Sequence, residues 1–187
     1  MAQLGALLAL VGAAAIAVLV TSLRRAAKVY NETGRRILRG LRKVLEGDVE
    51  AFLIDYRRGC GVGFNFNNMM MAVAWDSGAW CRLYRIDELR GVELMADDRV
   101  AGWAVAGKPL RPAEAQAHAD HQVTLRHLFD DPHHPQFMLE LWHADGGEDE
   151  TIPDAATALS EGNRWLEGMS ALMAAVPRGP IEIDGPA

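Results

Sequence analysis

Histidine, cysteine and aspartate are the side chains of this sequence with the most chemistry to offer. The six histidines are His118, His121, His127, His133, His134 and His143, and three of them flank the pair Asp130-Asp131. Imidazole and carboxylate suit zinc, so a late hairpin that gathered these groups would hold a divalent metal and open a route to a metal-dependent enzyme. Their placement argues against it. His133 and His134 stand in a turn between two prolines, His118 and His121 fall in a loop, and histidines on strands commonly face solvent. The expectation is that no metal is held.

Nucleophilic catalysis fares no better. Cys60 and Cys81 have no local histidine pattern, and Ser77, Ser160 and Ser170 sit in a turn or a helix, so no nucleophile has an oriented base beside it. The two cysteines read as inert core thiols. Asp97-Asp98 and Asp130-Asp131 read as turn formers rather than as paired general acids. The segment GCGVGF, residues 59 to 64, lacks the G-x-G-x-x-G spacing and belongs inside a hairpin, without a helix N-terminus to cradle phosphate. There is also no G-x-x-x-x-G-K-[ST] loop. The sequence therefore carries no catalytic residue, cofactor-binding residue or metal ligand that reaches the specificity of a signature, and neither nucleotide nor nucleic acid is expected as a partner.

The elements that must position any site follow from hydrophobic periodicity. After Asp48, short apolar runs alternate with turn residues, which marks strands. They fall at Ala51 to Tyr56, Gly61 to Phe66, Met69 to Trp75, Ala79 to Arg85, Leu89 to Met95, Val100 to Ala106, Gln122 to Phe129 and Phe137 to His143. Most are joined by two to five residues, which demands antiparallel hairpins because parallel pairs need long crossovers. The exception is an Ala/Pro/His-rich loop over Gly107 to His121. Helical spacing then returns through Ala155, Ala158, Leu159, Gly162, Trp165, Leu166, Met169, Leu172, Met173 and Val176, with Asp154 as N-cap and Pro177 as stop. An antiparallel sheet and one amphipathic helix must bury against each other, so the fold expected is α+β: a bent sheet or open barrel plugged by the helix, with Trp165 at the centre of the plug.

The N-terminal region has a different character. Residues 1 to 23 carry no charge, and about 20 apolar residues at 1.5 Å rise cross a ~30 Å hydrocarbon layer, so a single transmembrane helix is expected there. The net charge of -6 hides a basic block, Arg24, Arg25, Lys28, Arg35, Arg36, Arg39, Arg42 and Lys43, set against Glu32 alone. A basic block beside an apolar run points to the membrane surface, and by the positive-inside rule it places the following domain in the cytoplasm and Met1 outside. Apolar residues at three- and four-residue spacing over 24 to 47 make this block an amphipathic helical stalk. The expected organisation is a membrane helix over 1–23, the stalk over 24–47, a β domain with its C-terminal helix over 48–176 and a flexible tail over 177–187, in an inner-membrane, single-pass protein.

The hairpin GCGVGFNFNNMMMAVAW, the segment YRIDELRGVEL, the strand-turn-strand VTLRHLFDDPHHPQFMLELW and the closing helix with Trp165 together resemble the bacterial pleckstrin-homology-like (PH-like) domains. The resemblance spans about Asp48 to Val176 and implies fold rather than chemistry, because PH-like folds serve as scaffolds for protein, peptide or lipid contacts. The function expected is then a membrane-tethered interaction or scaffold module, an accessory or assembly subunit of a membrane complex. Its partners would be the lipid bilayer and other membrane subunits, with Trp75, Trp80, Trp103 and Trp142 as contact residues. The alternative is binding to anionic lipid through the basic block; a metal-dependent enzyme comes last.

Overall fold

The computed structural model describes residues 32–145, 152 and 154–176. A first helix, α1 (Glu32–Leu45), leads into β1 (Ala51–Asp55), β2 (Cys60–Asn65), β3 (Met70–Trp75) and β4 (Trp80–Arg85). A single helical turn, Ile86–Glu88, then leads to β5 (Leu89–Ala96), β6 (Arg99–Val105), β7 (Gln122–Phe129) and β8 (Gln136–His143), and the chain closes with α2 (Ala155–Ala175). The strands fall within one residue of the expected ends, because each is a short apolar run bounded by turn residues. Asp154 caps α2 by accepting a 2.7 Å bond from the Thr157 amide.

The strands form two antiparallel sheets, β1-β2-β3-β4 and β6-β5-β7-β8, so the bent sheet or open barrel expected from the sequence is corrected to a pair of sheets. The three residues between β4 and β5 carry the chain from one sheet to the other instead of turning a hairpin, and β7 returns across the long 107–121 loop to pair with β5. The inner faces and α2 share one core. Phe64 and Met71 of the first sheet meet Leu94, Leu125 and Leu139 of the second, together with Trp165, Leu166 and Met169 of α2.

α1 is the second correction. Residues 24–31 of the expected stalk lie outside the described residues, and α1 itself is docked on the outer face of the first sheet, where Ile37, Leu38, Leu41 and Leu45 pack on Ala72 and Ala74. An apolar helical stripe has the same period on a free stalk and on a sheet, and the difference lies in the bed that receives it. Gly61 and Gly63 form that bed: a Cβ at Gly61 would stand 2.9 Å from both Ile37 Cγ2 and the Leu53 carbonyl oxygen, and one at Gly63 would stand 2.9 Å from Val49 Cγ1 and 3.2 Å from Leu41 Cδ1. Gly61 and Gly63 of GCGVGF thus serve close helix-to-sheet packing, while Gly59 holds the preceding turn at a φ of +63°. Gly61→Ala is expected to cost about 1–3 kcal/mol by overpacking against backbone, read as a shift in the urea midpoint at unchanged slope.

The transmembrane expectation is corrected as well. No helix among the described residues is long and apolar enough to cross a membrane, and the span expected over 1–23 lies outside them. The single-pass inner-membrane placement that rested on that span is set aside with it. The tail over 177–187 also lies outside the described residues.

Candidate functional site

The acidic and nucleophilic side chains resolve into structural fastenings. At one edge of the molecule, Arg57 donates from Nε and Nη2 to the two carboxylate oxygens of Glu140 at 2.7 Å, and Arg58 adds a 3.0 Å ion pair. The β1–β2 turn is thereby tied to β8 of the other sheet. Asp55 completes the fastening by accepting from the Arg58 amide at 2.8 Å and the Glu140 amide at 3.2 Å. Burial raises the Asp55 pKa, with the amide bonds acting against it. Cys60 lies within 3.7 Å of Asp55 Oδ2, and burial together with that carboxyl pushes its thiol up to about 12, the opposite of what a nucleophile needs. Both cysteines are free thiols.

Asp131 fastens the β7–β8 turn to β4. Its carboxylate accepts from the His133 and His134 amides at 2.9 and 3.3 Å, from the Tyr84 hydroxyl at 3.3 Å, and pairs with Arg82 at 2.7 Å. Desolvation pushes Asp131 up, but the two amides and the Arg82 guanidinium outweigh it and hold the carboxyl below its usual range. Arg90 pairs with the neighbouring Asp130. His133 and His134 therefore contribute backbone rather than ring nitrogens, and among the described residues no three His, Cys, Asp or Glu side chains converge as a metal would require. Asp97 in turn gathers the Gln122, His121 and Asp120 amides at the end of the long loop, which lowers its pKa.

His127 corrects the expectation that strand histidines face solvent. It is fully buried on the inner face of β7, where Trp165 Nε1 donates to its Nε2 at 3.3 Å. An indole nitrogen only donates, so Nε2 must present a lone pair and the neutral ring must carry its proton on Nδ1. Nδ1 has no partner at hydrogen-bond geometry among the described residues, although the Phe137 backbone across the strand pair lies near enough to favour the protonated ring slightly. Burial dominates and lowers the pKa to about 4.

What remains open is the edge of the first sheet. β4 is an end strand. The Ile86 amide donates to the Met69 carbonyl at 3.0 Å, and these residues follow in register on the Met70–Arg85 pair. Hydrogen-bonded pairs alternate in an antiparallel ladder, so Tyr84, Arg82 and Trp80 turn their polar backbone groups to β3 while Cys81, Leu83 and Arg85 turn theirs outward. Glu88 takes the Arg85 amide at 2.6 Å. The N–H and C=O groups of Cys81 and Leu83 have no partner among the described residues. Trp80 is 64% exposed and Leu83 42%, on opposite faces of this strand.

The four tryptophans expected to make contacts are thus unequal. Trp75 lies opposite Trp80 in register, but it is half-buried against the core, with the His134 ring 6.2 Å away. Trp142 also leans on the core, and the half-buried Trp103 is tied through its backbone to Arg111 at 2.6 and 2.9 Å. Of the basic block, Arg24, Arg25 and Lys28 lie outside the described residues, whereas Arg35, Arg36, Arg39, Arg42 and Lys43 are exposed on α1. Arg36 is paired with Glu32 at 2.6 Å. The row Arg36–Gly40–Lys43 borders β4, since a Cβ at Gly40 would stand 2.9 Å from Cys81 Sγ. Burial raises the Cys81 pKa and the Lys43 charge opposes it. Sequence reasoning missed Leu83 and the free backbone of β4, because nothing in a linear pattern marks which strand ends a sheet.

Comparison with known protein families, curated proteins and solved structures finds no match to the chain. The fold and the edge define an α+β two-sheet domain in which the end strand β4 carries an exposed tryptophan.

Proposed function

We propose that this chain is an interaction module, an accessory subunit that docks a protein partner on the β4 edge around Trp80. The observation that carries the reading is a large aromatic side chain projecting beside unpaired strand backbone. An end strand offers backbone groups to an added strand, so the β4 edge beside an exposed tryptophan is suited to recognition. The titratable clusters support the same view, because each is occupied in holding two parts of the fold together. The PH-like resemblance adds to it, since such domains act as scaffolds for protein and peptide contacts.

The test is affinity purification of the tagged full-length chain beside Trp80→Ala and Trp103→Ala. Trp80→Ala is expected to lose a stoichiometric partner, with affinity falling about thirtyfold as for a tryptophan hot spot, while stability stays within ~0.5 kcal/mol of the parent. Trp103→Ala is expected to retain the partner. A partner set insensitive to Trp80, or none at all, overturns the reading.

A further inference from the structure

Resting on that strand-edge reading, we propose that the docked partner presents an extended segment of alternating apolar and acidic residues, added to β4 as a fifth strand of the first sheet. The backbone of Cys81 and Leu83 offers two N–H and two C=O groups on one edge, two residues apart, which is the repeat of an antiparallel ladder. A peptide strand meets that repeat, while the base and phosphate groups of a nucleic acid do not. Glu88 closes the ladder at Arg85, so the paired stretch is short and side chains must supply specificity.

The two faces of the added strand would meet different chemistry. On the inner side the edge presents the Trp80 indole, and Arg82 next to it is already engaged by Asp131, so this face takes apolar side chains. On the outer side the strand would run past Leu83 and alongside α1, which closes directly on Cys81 at Gly40. There Lys43, on the helix row that borders β4, is exposed and has no acidic partner among the described residues, whereas Arg36 is held by Glu32. This face takes carboxylates. Successive side chains of a strand alternate between faces, so one segment satisfies both sides only if apolar and acidic residues alternate along it.

The test uses the full-length chain with two synthetic eight-residue probes, one alternating valine with glutamate and one alternating valine with lysine, followed by fluorescence anisotropy and amide exchange. The glutamate probe is expected to bind about tenfold or more tightly than the lysine probe, to weaken with salt, and to slow exchange at the Cys81 and Leu83 amides. Lys43→Glu is expected to reverse the order of the two probes. Equal binding of both probes, an order unchanged by the charge reversal, or no added protection at Cys81 and Leu83 overturns the proposal. So does a glutamate probe that binds only after residues 177–187 are removed: Ile181-Glu182-Ile183-Asp184 has the same alternation, and the occupant would then be this chain itself. A Trp80-dependent partner with no preference between the probes would overturn the acidic segment alone and leave the docking function standing.

Discussion

Trp165→Ala is expected to cost about 3–5 kcal/mol of stability, the range for truncating a fully buried tryptophan. Trp165 is 2% exposed and sits where three elements meet. Its ring stands edge-on to Phe64 of the first sheet at 5.5 Å and to His127 of the second at 6.3 Å, while its own helix supplies the third wall. Truncation opens a cavity that none of these walls can fill alone, and it also strips His127 Nε2 of its donor in a site that water does not reach. Trp165→Phe separates the two effects, since it keeps most of the ring volume and removes only the N–H; roughly 1–3 kcal/mol is expected. Chemical denaturation at pH 7 reads both values. A Trp165→Ala loss below about 1.5 kcal/mol would mean that α2 does not lock the two sheets together. The contrast with Trp80 is the informative part: one tryptophan is expected to govern stability, the other is proposed for recognition, and burial alone distinguishes them.

The strands were legible in the sequence because short apolar runs bounded by turn residues mark them, even where β2 and β3 are buried almost throughout, and α2 was legible because a helix buried on one face leaves a period near 3.6. The arrangement of those elements was not. The separators after β3 and after β4 are both short, yet Asp76-Ser77-Gly78 turns a hairpin while Ile86-Asp87-Glu88 carries the chain to a second sheet. The pairing of β5 with β7 is decided by where Ala113 and Asp97 anchor the long loop, through Asn163 of α2 and the amides of residues 120 to 122. Such contacts leave no periodic trace. The basic block illustrates the same limit from the other side. Over Glu32–Leu45 its charges and apolar stripe do form an amphipathic helix, but a helix that lies on a membrane, rises as a stalk or docks on a sheet has one and the same pattern. The sign that α1 docks on this sheet was the run of small residues Gly61, Gly63, Ala72 and Ala74 far along the chain. At the candidate site, Trp80 was visible as a residue type, but its exposure and the free backbone beside it follow from strand order alone.

Acid should loosen the fold through His127, by roughly 3 kcal/mol between neutral pH and about pH 4. The sign follows from which state takes up the proton first. In the unfolded chain the imidazole titrates near its ordinary value of 6.5, whereas in the fold burial holds it down to about 4. Between those values the unfolded chain binds more protons, so stability is full above about pH 6.5, falls as the pH drops through the window, and stops falling on this account below about pH 4. The Trp165 bond sharpens the effect, because a protonated ring would turn an N–H toward the indole N–H that now donates to it. The groups that contact the ring, Trp165 and Phe137, carry no charge that would offset the cost. Other carboxyls contribute with their own signs: Asp97 and Asp131, held low in the fold, also lose stability, but only as the pH falls below the ordinary carboxylate range. Asp55, held high by burial, pulls the opposite way over the span between its ordinary and its raised value. His127→Gln isolates the histidine, since a carboxamide oxygen can accept from Trp165 Nε1 and does not titrate. Urea unfolding of parent and variant at steps from pH 7 to pH 4 should show the parent losing roughly 3 kcal/mol more than the variant across the window. Parallel curves for the two proteins would mean that the ring is not held neutral in the fold.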